Sequence, residues 1–561
     1  MTETNAAPIS RNPAAARLAW IILILATLFV SYFYNLGAVG FLGPDEPRYA
    51  WIARNMAESG DWVTPRLYGQ PWFEKPPLLY WTAALSFKLF GVSEASARLP
   101  SAISALLATL AVAWLACPVY GSAVARWLLL LLPTTVAMIG FSHAAATDML
   151  FAGTLTIAMV FSALLVGAAP LTPPGSLTSS ASFTSLLFGV FLGLAVLAKG
   201  PAAIVLSGGA VLLWAIFTKH WRDAFRCFHP VGIVAFCVTA LPWYILCGRR
   251  NPSFFRVFII EHNFNRYLTP EFQHIQPLWF YLPILLIAFL PWTATLVWVV
   301  ARESRIFWKD RRLSSLAVFL LSWPCFCFLF FSASQSKLPG YLLPAIPPIG
   351  LLLAVSCLRL PSPDQRVFRS LHVAVGLIAI ASAAVLFSNW FVPASIDPPR
   401  ARAAALVLFA FGVAYLLLAN RVSRNNFLRQ TAPLCVLPIL ILVADFRPLV
   451  RPWLSPDPSA KSIALQFEKL QSPVASSPNV YVSSMPRAQQ YALSFYLHRQ
   501  VQTWNAQTPT EGPLLLPSPD LRSCAVEMSG SWSCSKDPIN LGATGWFVWQ
   551  VQPQKESSGP Q

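Results

Sequence analysis

Charge is what this chain lacks. Only 11% of its 561 residues are Asp, Glu, Lys or Arg, against 56% that are hydrophobic. A soluble protein of this size needs a charged surface that such a composition does not supply. Acidic residues are the scarcest, 23 against 40 Lys plus Arg. The resulting net charge of +17 could suit nucleic acid. The basic residues sit instead in short loops between apolar runs, so no nucleic-acid partner is expected. A cleavage site is missing too. No small-residue pattern follows the first apolar run, Ala19 to Tyr34, which reads as a retained helix and not as a signal peptide.

Long apolar runs are what the chain has. They recur from Leu18 to Val443, and a bilayer crossing takes about 20 residues. The expected fold class is an all-α polytopic membrane protein with a small C-terminal α/β domain. Thirteen spans are expected, at roughly 18–36, 98–116, 125–142, 149–167, 184–199, 201–217, 231–247, 278–300, 314–332, 341–358, 371–391, 403–419 and 431–447. Alternate loops are basic. They carry Lys219, Arg222 and Arg226; then Arg302, Arg305, Lys309, Arg311 and Arg312; then Arg359, Arg366 and Arg369; then Arg421, Arg424 and Arg429. With Arg11 and Arg17 these fall on one side, which places the N-terminus in the cytoplasm and the C-terminus outside. The apolar stretch Pro76 to Phe90 is too short to cross and contains Lys88, so it reads as an interfacial or re-entrant segment.

The outer loops hold the few acidic groups. Gly43-Pro44-Asp45-Glu46-Pro47-Arg48-Tyr49 follows the first span and packs two carboxylates, an arginine and a phenol into five residues. Asp45 there can cap a helix running from Glu46 through Met56, with Pro47 in the first turn. Capping does not account for the second carboxylate and Arg48. Trp72-Phe73-Glu74-Lys75-Pro76-Pro77 follows, its backbone stiffened by the prolines. Asp148 stands at an outer helix start, where an N-cap is the simpler reading. Lys199-Gly200-Pro201 is a turn between two spans. Its lysine reads equally as an anion ligand or as a snorkelling helix end. Glu261-His262-Asn263-Phe264-Asn265-Arg266-Tyr267 and Ser336-Lys337-Leu338-Pro339-Gly340-Tyr341 complete the set. His262 with Glu74 or Glu261 offers a possible divalent-metal site, short of the three or four ligands of a zinc centre. Cations at a membrane face suit a lipid-linked phosphate. Carboxylates suit general-base work or contact with a sugar.

Beyond Phe446 the spans cease. Asn479 to Ser483, Val501 to Trp504 and Trp546 to Val551 read as strands, and Arg487 to Leu497 as a helix. No catalytic motif stands out there. Of the ten cysteines, eight lie in or near spans; Cys524 and Cys534 are the pair in the outer domain and an expected disulfide.

The runs G-P-D-E-P-R-Y-A, E-S-G-D-W, F-E-K-P-P, T-D-M-L, A-K-G, E-H-N-F-N-R-Y and S-K-L-P-G-Y resemble, in order and spacing, the lipid A aminoarabinose transferases. Their relatives include the protein O-mannosyltransferases, and all belong to the GT-C superfamily of membrane glycosyltransferases. The likeness is good over residues 17 to 350. It implies a cytoplasmic tail (1–16), a catalytic transmembrane domain (17–358) with the outer loop 37–97, additional helices (359–447) and a periplasmic domain (448–561). It implies a polyprenyl-phosphate-linked sugar donor, an acceptor such as lipid A or another envelope glycan, and a place in the bacterial inner membrane. Asp45, Glu46 and Asp148 match the catalytic acids. Arg48, Lys75, Arg266, Lys199, Tyr341 and Lys337 match a donor-phosphate site, and Glu74 and His262 a metal site. Pro47 and the Pro76-Pro77 pair depart from the family pattern and leave the sugar and acceptor open. A protein O-mannosyltransferase-like activity is one alternative. A flippase for lipid-linked sugars is another, against which stand helix centres almost free of charge and the lack of an internal repeat.

Overall fold

The computed structural model describes residues 13–169, 180–269, 275–310, 313–358, 459–470, 479–504, 512–517, 532–535 and 537–553, with scattered positions between 373 and 416. The helices are α1 (Pro13–Tyr32), α2 (Asp45–Ser59), α3 (Leu78–Phe90), α4 (Glu94–Tyr120), α5 (Ser122–Leu131), α6 (Val136–Ser142), α7 (Thr147–Leu165) and α8 (Ala181–Lys199). They continue with α9 (Ala202–Thr218), α10 (Trp221–Ala224), α11 (Pro230–Arg250), α12 (Arg266–Leu268), α13 (Tyr281–Ala288), α14 (Thr293–Asp310), α15 (Ser315–Ala333) and α16 (Ile346–Leu358). A π-helix, Arg256–Asn265, leads into α12, and a 3-10 turn, Pro339–Ala345, into α16.

Among the described residues six helices are long and apolar enough to cross a membrane, seven if the bent pair α5–α6 is one span. The expected spans at 98–116, 149–167, 184–199, 231–247, 314–332 and 341–358 coincide with these six. The expected span 125–142 is broken by 62° between α5 and α6. That at 278–300 is interrupted between α13 and α14. Those at 18–36 and 201–217 correspond to α1 and α9, whose apolar helical stretches, Arg17–Tyr32 and Ala202–Thr218, are shorter than the six, and the last three, at 371–391, 403–419 and 431–447, fall outside the described residues apart from scattered positions. Within Pro76 to Phe90 lies α3, Leu78–Phe90, only 13 residues long.

α7 is the hub, with 83% of its apolar window buried against α4 and α8. Without a hydrophobic force between helices in lipid, small residues let backbones approach and gain dispersion contacts. A Cβ at Gly153 would come within 2.8 Å of the Ser104 carbonyl oxygen, and one at Gly189 within 2.1 Å of the Gly232 carbonyl oxygen. Gly200, at φ +92°, turns the chain from α8 into α9 under Phe258 and Asn263, so no larger residue fits there.

A short antiparallel pair, β1 (Arg66–Leu67) and β2 (Gln70–Pro71), precedes α3. Among the described residues the C-terminal domain is a mixed sheet of six strands: β3 (Val480–Val482), β4 (Val501–Thr503), β5 (Gly512–Leu516), β6 (Trp532–Cys534), β7 (Ile539–Asn540) and β8 (Phe547–Pro553). Its order is β4-β3-β5-β8-β6, with β7 on β8. β3 pairs in parallel with β4 and β5, and β8 antiparallel with β5 and β6. The helix Arg487–Leu497 makes the crossover between β3 and β4, as the sequence pattern indicates. Cys534 is disulfide-bonded, and its expected partner Cys524 lies outside the described residues. The domain seats on the membrane part through that crossover helix and the helix Lys461–Glu468: Tyr496 donates to Glu94 at 3.0 Å and accepts from the Phe41 amide, and Lys461 pairs with Glu94 at 2.5 Å.

Candidate active site

The loop after α1 delivers the first acidic pair, and the two carboxylates part company there. α2 starts at Asp45 itself, and the residue ahead of it, Pro44, supplies no side-chain cap. Asp45, half-exposed, pairs with Arg48 one turn on. Glu46, expected among the catalytic acids, is buried and fully engaged. Its Oε1 accepts from Arg98 Nε at 2.9 Å and the Ala145 amide at 2.7 Å. Its Oε2 accepts from Arg98 Nη2 and the Leu42 amide, both at 2.8 Å. With every lone pair occupied, Glu46 ties the loop to α4 and has none left for a substrate. Arg98, which donates also to the carbonyls of Leu36, Val39 and Gly40, is the functional neighbour the sequence pattern did not single out.

Arg48 crosses from α2 to the Glu74 loop, reaching Glu74 Oε2 at 3.2 Å. It lies against the rings of Trp72 and Tyr49, 5.2 and 5.4 Å from their centroids, and of Tyr491 at 5.8 Å. Glu74 also faces Arg266 at 3.6 Å and Lys75 at 3.9 Å. Burial alone would raise the Glu74 carboxyl, but Lys75, Arg48, His262 and Arg266 hold it below the usual range. Burial, then Arg266, pull the Lys75 ammonium down to about 8, Glu74 opposing them. His262 is likewise lowered, by burial and then by Lys75 and Arg266 against the pull of Glu74. Arg266 donates a hydrogen bond to Tyr341.

The second acid is not an N-cap either: α7 begins at Thr147 without a side-chain cap. Asp148 instead meets Lys199 at 2.5 Å, and the ammonium lies 4.4 Å from the Tyr341 ring centroid. Lys199 therefore points inward to a partner and does not snorkel. Gly340 makes room for this pair, since a Cβ there would lie 2.7 Å from Asp148 Oδ1. Asp148 feels both Lys75 and Arg266, which joins the two halves into one cluster. Four cations, Arg48, Lys75, Lys199 and Arg266, thus face three carboxylates, Asp45, Glu74 and Asp148, and leave one positive charge over. Lys337, expected beside them, is buried and donates to the Ser334 carbonyl in its own loop at 2.6 Å.

A cavity of about 350 Å³ adjoins the cluster, lined by Trp72, Glu74, Ser253 and His262 among others. That volume lies in the small-ligand range of ~300–1,000 Å³. The donor set fits a divalent metal poorly. Among the described residues no group of three or more His, Cys, Asp and Glu side chains converges, and Glu74 already faces three cations.

Residues 18–258 match the family model of the dolichyl-phosphate-mannose-protein mannosyltransferases. The chain is 31% identical over 435 residues to an undecaprenyl phosphate-alpha-4-amino-4-deoxy-L-arabinose arabinosyl transferase of Edwardsiella ictaluri, covering 76% of each chain. It is 31% identical over 397 residues to the transferase of that name from Aeromonas salmonicida, covering 70% of each. In fold it is similar to the crystal structure of ArnT from Cupriavidus metallidurans bound to undecaprenyl phosphate, with a TM-score of 0.76 at 24% identity, over 97% of this chain and 99% of that one. The apo form of that protein superposes with a TM-score of 0.75. The chain belongs to the family of undecaprenyl phosphate-alpha-4-amino-4-deoxy-L-arabinose arabinosyl transferases, among the GT-C membrane glycosyltransferases.

Proposed function

We propose that this protein moves 4-amino-4-deoxy-L-arabinose from undecaprenyl phosphate to lipid A, on the periplasmic face of the bacterial inner membrane, with inversion at the sugar. The acceptor oxygen attacks the anomeric carbon from one face while the bond to the carrier's phosphate oxygen breaks on the other. The electron pair leaves with the phosphate. Arg48, Lys75, Arg266 and Lys199 neutralise the charge that builds there, and Tyr341 contacts the phosphate. Fixed cations in a partly buried site need little reorganisation as the charge develops. The observation that carries the reading is the surplus positive charge of this cluster, built from the Glu74 loop, the starts of α2, α7 and α12 and the end of α8.

A lipid A phosphate is already anionic and needs no base. Asp45, half-exposed and ion-paired to Arg48, orients the amino sugar and stabilises a developing oxocarbenium. Asp148 holds Lys199 in place. Glu46 and Lys337 serve the architecture. No step runs through a metal. We assign thirteen spans, with the N-terminus cytoplasmic and residues 448–561 periplasmic. Two things support that orientation: the basic loops between spans, and the seating of the C-terminal domain on α2 beside the cluster.

The test is mass spectrometry of lipid A from cells with and without the protein, paired with transfer from purified lipid-linked aminoarabinose. Addition of aminoarabinose to lipid A, lost in Asp45→Asn, is the expected result. Unchanged lipid A alongside newly glycosylated protein overturns the acceptor assignment.

A further inference from the structure

Between α8, α9 and α11 lies an apolar slot of about 460 Å³, none of whose lining residues belongs to the charged cluster. Phe188, Leu192, Val211 and Phe236 line it. From Ile204 to Ala215 it follows α9 for about 16 Å, at ~1.5 Å per residue. Phe188 sits on α8 about 16 Å from Lys199 by the same measure, so the slot runs from the first turn of α9 toward the end of the bundle away from the charged cluster. Its far end is roofed by the short segment Trp221–Phe228. Trp221 and Phe225 line the slot although 47% and 69% exposed. The polar side of that segment is basic. Arg226 is paired with Asp223 at 2.8 Å, which leaves Lys219 and Arg222, both exposed, with no ion pair among the described residues.

An apolar slot roofed by interfacial aromatics and edged by uncompensated cations divides polar from apolar as a phospholipid does. We propose that the slot holds an acyl chain of an anionic glycerophospholipid from the membrane leaflet on that side, with its headgroup phosphate at Lys219 and Arg222. The charge complementarity selects an anionic headgroup, and the length of the slot selects a chain over a compact ligand.

Gly208 supplies a clean probe. It lines the slot, and a Cβ there meets no atom within 4 Å, whereas its neighbour Gly209 packs directly on Phe326. The full-length protein in vesicles is photolabelled with phosphatidylglycerol carrying a photoactivatable acyl chain, and with phosphatidylcholine carrying the same chain. The expected result is labelling of peptides within 204–215 and 225–236, about tenfold stronger for phosphatidylglycerol. Gly208→Phe should cut both labels about tenfold by filling the slot. The double change Lys219→Gln with Arg222→Gln should bring phosphatidylglycerol down to the phosphatidylcholine level and leave the latter unchanged. Equal labelling by the two probes in the unaltered protein overturns the proposal. So does displacement of the label by undecaprenyl phosphate, which would make the slot part of the donor site. Should Gly208→Phe fail to insert, the Lys219 and Arg222 double change still decides between these outcomes.

Discussion

Arg98 grips Glu46 with two parallel hydrogen bonds, 2.9 Å from Nε and 2.8 Å from Nη2, and both side chains are buried. The pair joins the start of α2 to the N-terminal part of α4 across 52 residues of sequence. Removing one partner leaves the other charge buried and uncompensated, at a cost of about 3–5 kcal/mol. Glu46→Gln and Arg98→Met should each lower the unfolding temperature in detergent sharply. The double variant Glu46→Leu with Arg98→Met should recover part of the loss. A double variant no better than the singles would show that the backbone contacts of Arg98 matter more than the pair.

Asp45 is half-exposed, and its ion pair to Arg48 is local. Asp45→Asn should therefore leave expression and thermal stability unchanged and lower transfer by at least ~100-fold, the scale of losing one electrostatic contact to a transition state. Full activity with lipid-linked sugar would remove Asp45 from the mechanism.

Lys75 ties the reaction to pH. With its ammonium near 8, it is charged below that pH and neutral above it, so on the proposed phosphate role donor affinity should be greatest on the acid side. KM for the donor should rise as pH climbs through 8, with kcat changing less. Lys75→Arg, always charged, should flatten the profile. The stability contribution runs the other way. The folded value lies below the unfolded 10.5, so the unfolded chain binds the proton more tightly and stability rises between pH 8 and 10.5. A KM that is flat with pH in the native protein would exclude Lys75 from the phosphate site.

Gly340 leaves the space that Asp148 occupies. In Gly340→Ala the new Cβ would sit 2.7 Å from Asp148 Oδ1 and 2.9 Å from the Phe141 ring, so the carboxylate must move off Lys199. Activity should fall about tenfold or more, as for a misplaced positioning group, while the protein remains folded. Unaltered kcat would mean that the Asp148–Lys199 geometry is not used.

Tyr491 brings the C-terminal domain to the cluster, its ring 5.8 Å from the Arg48 guanidinium and held by Arg487 at 2.9 Å. A cation–π contact of ~0.5–1 kcal/mol corresponds to a rise of about two- to fivefold in donor KM for Tyr491→Ala. Tyr491→Leu, apolar but not aromatic, should not rescue it. An unchanged KM would restrict the domain to a structural part.

The sequence made some of this legible and not the rest, for definite reasons. Helices and strands with a strong local pattern, such as Arg487–Leu497 and β3, were readable because their periodicity is set by near neighbours. The charged cluster was readable because charge is costly in this membrane setting and seldom idle. Which charges face substrate was not. Glu46 and Asp45 are adjacent and chemically alike, and only the approach of Arg98, Leu42 and Ala145 turns one into a brace. The place of Lys337 is hidden for the same reason: its partner is a backbone carbonyl, which carries no side-chain signature. The break in the expected span 125–142 is not legible because an apolar run looks the same bent or straight.

The seating of the C-terminal domain also sets a clock. Glu94 waits for Lys461 and Tyr496, which follow it by 367 and 402 residues, and the Phe41 amide waits for the same phenol across 455. At ~5–20 residues per second of synthesis, roughly 20 to 90 seconds separate the emergence of the loop after α1 from that of the helix that clasps it. A nascent chain halted before residue 459 has every cation of the cluster but not the clasp, so the loop that carries Asp45 is made long before the part that holds it.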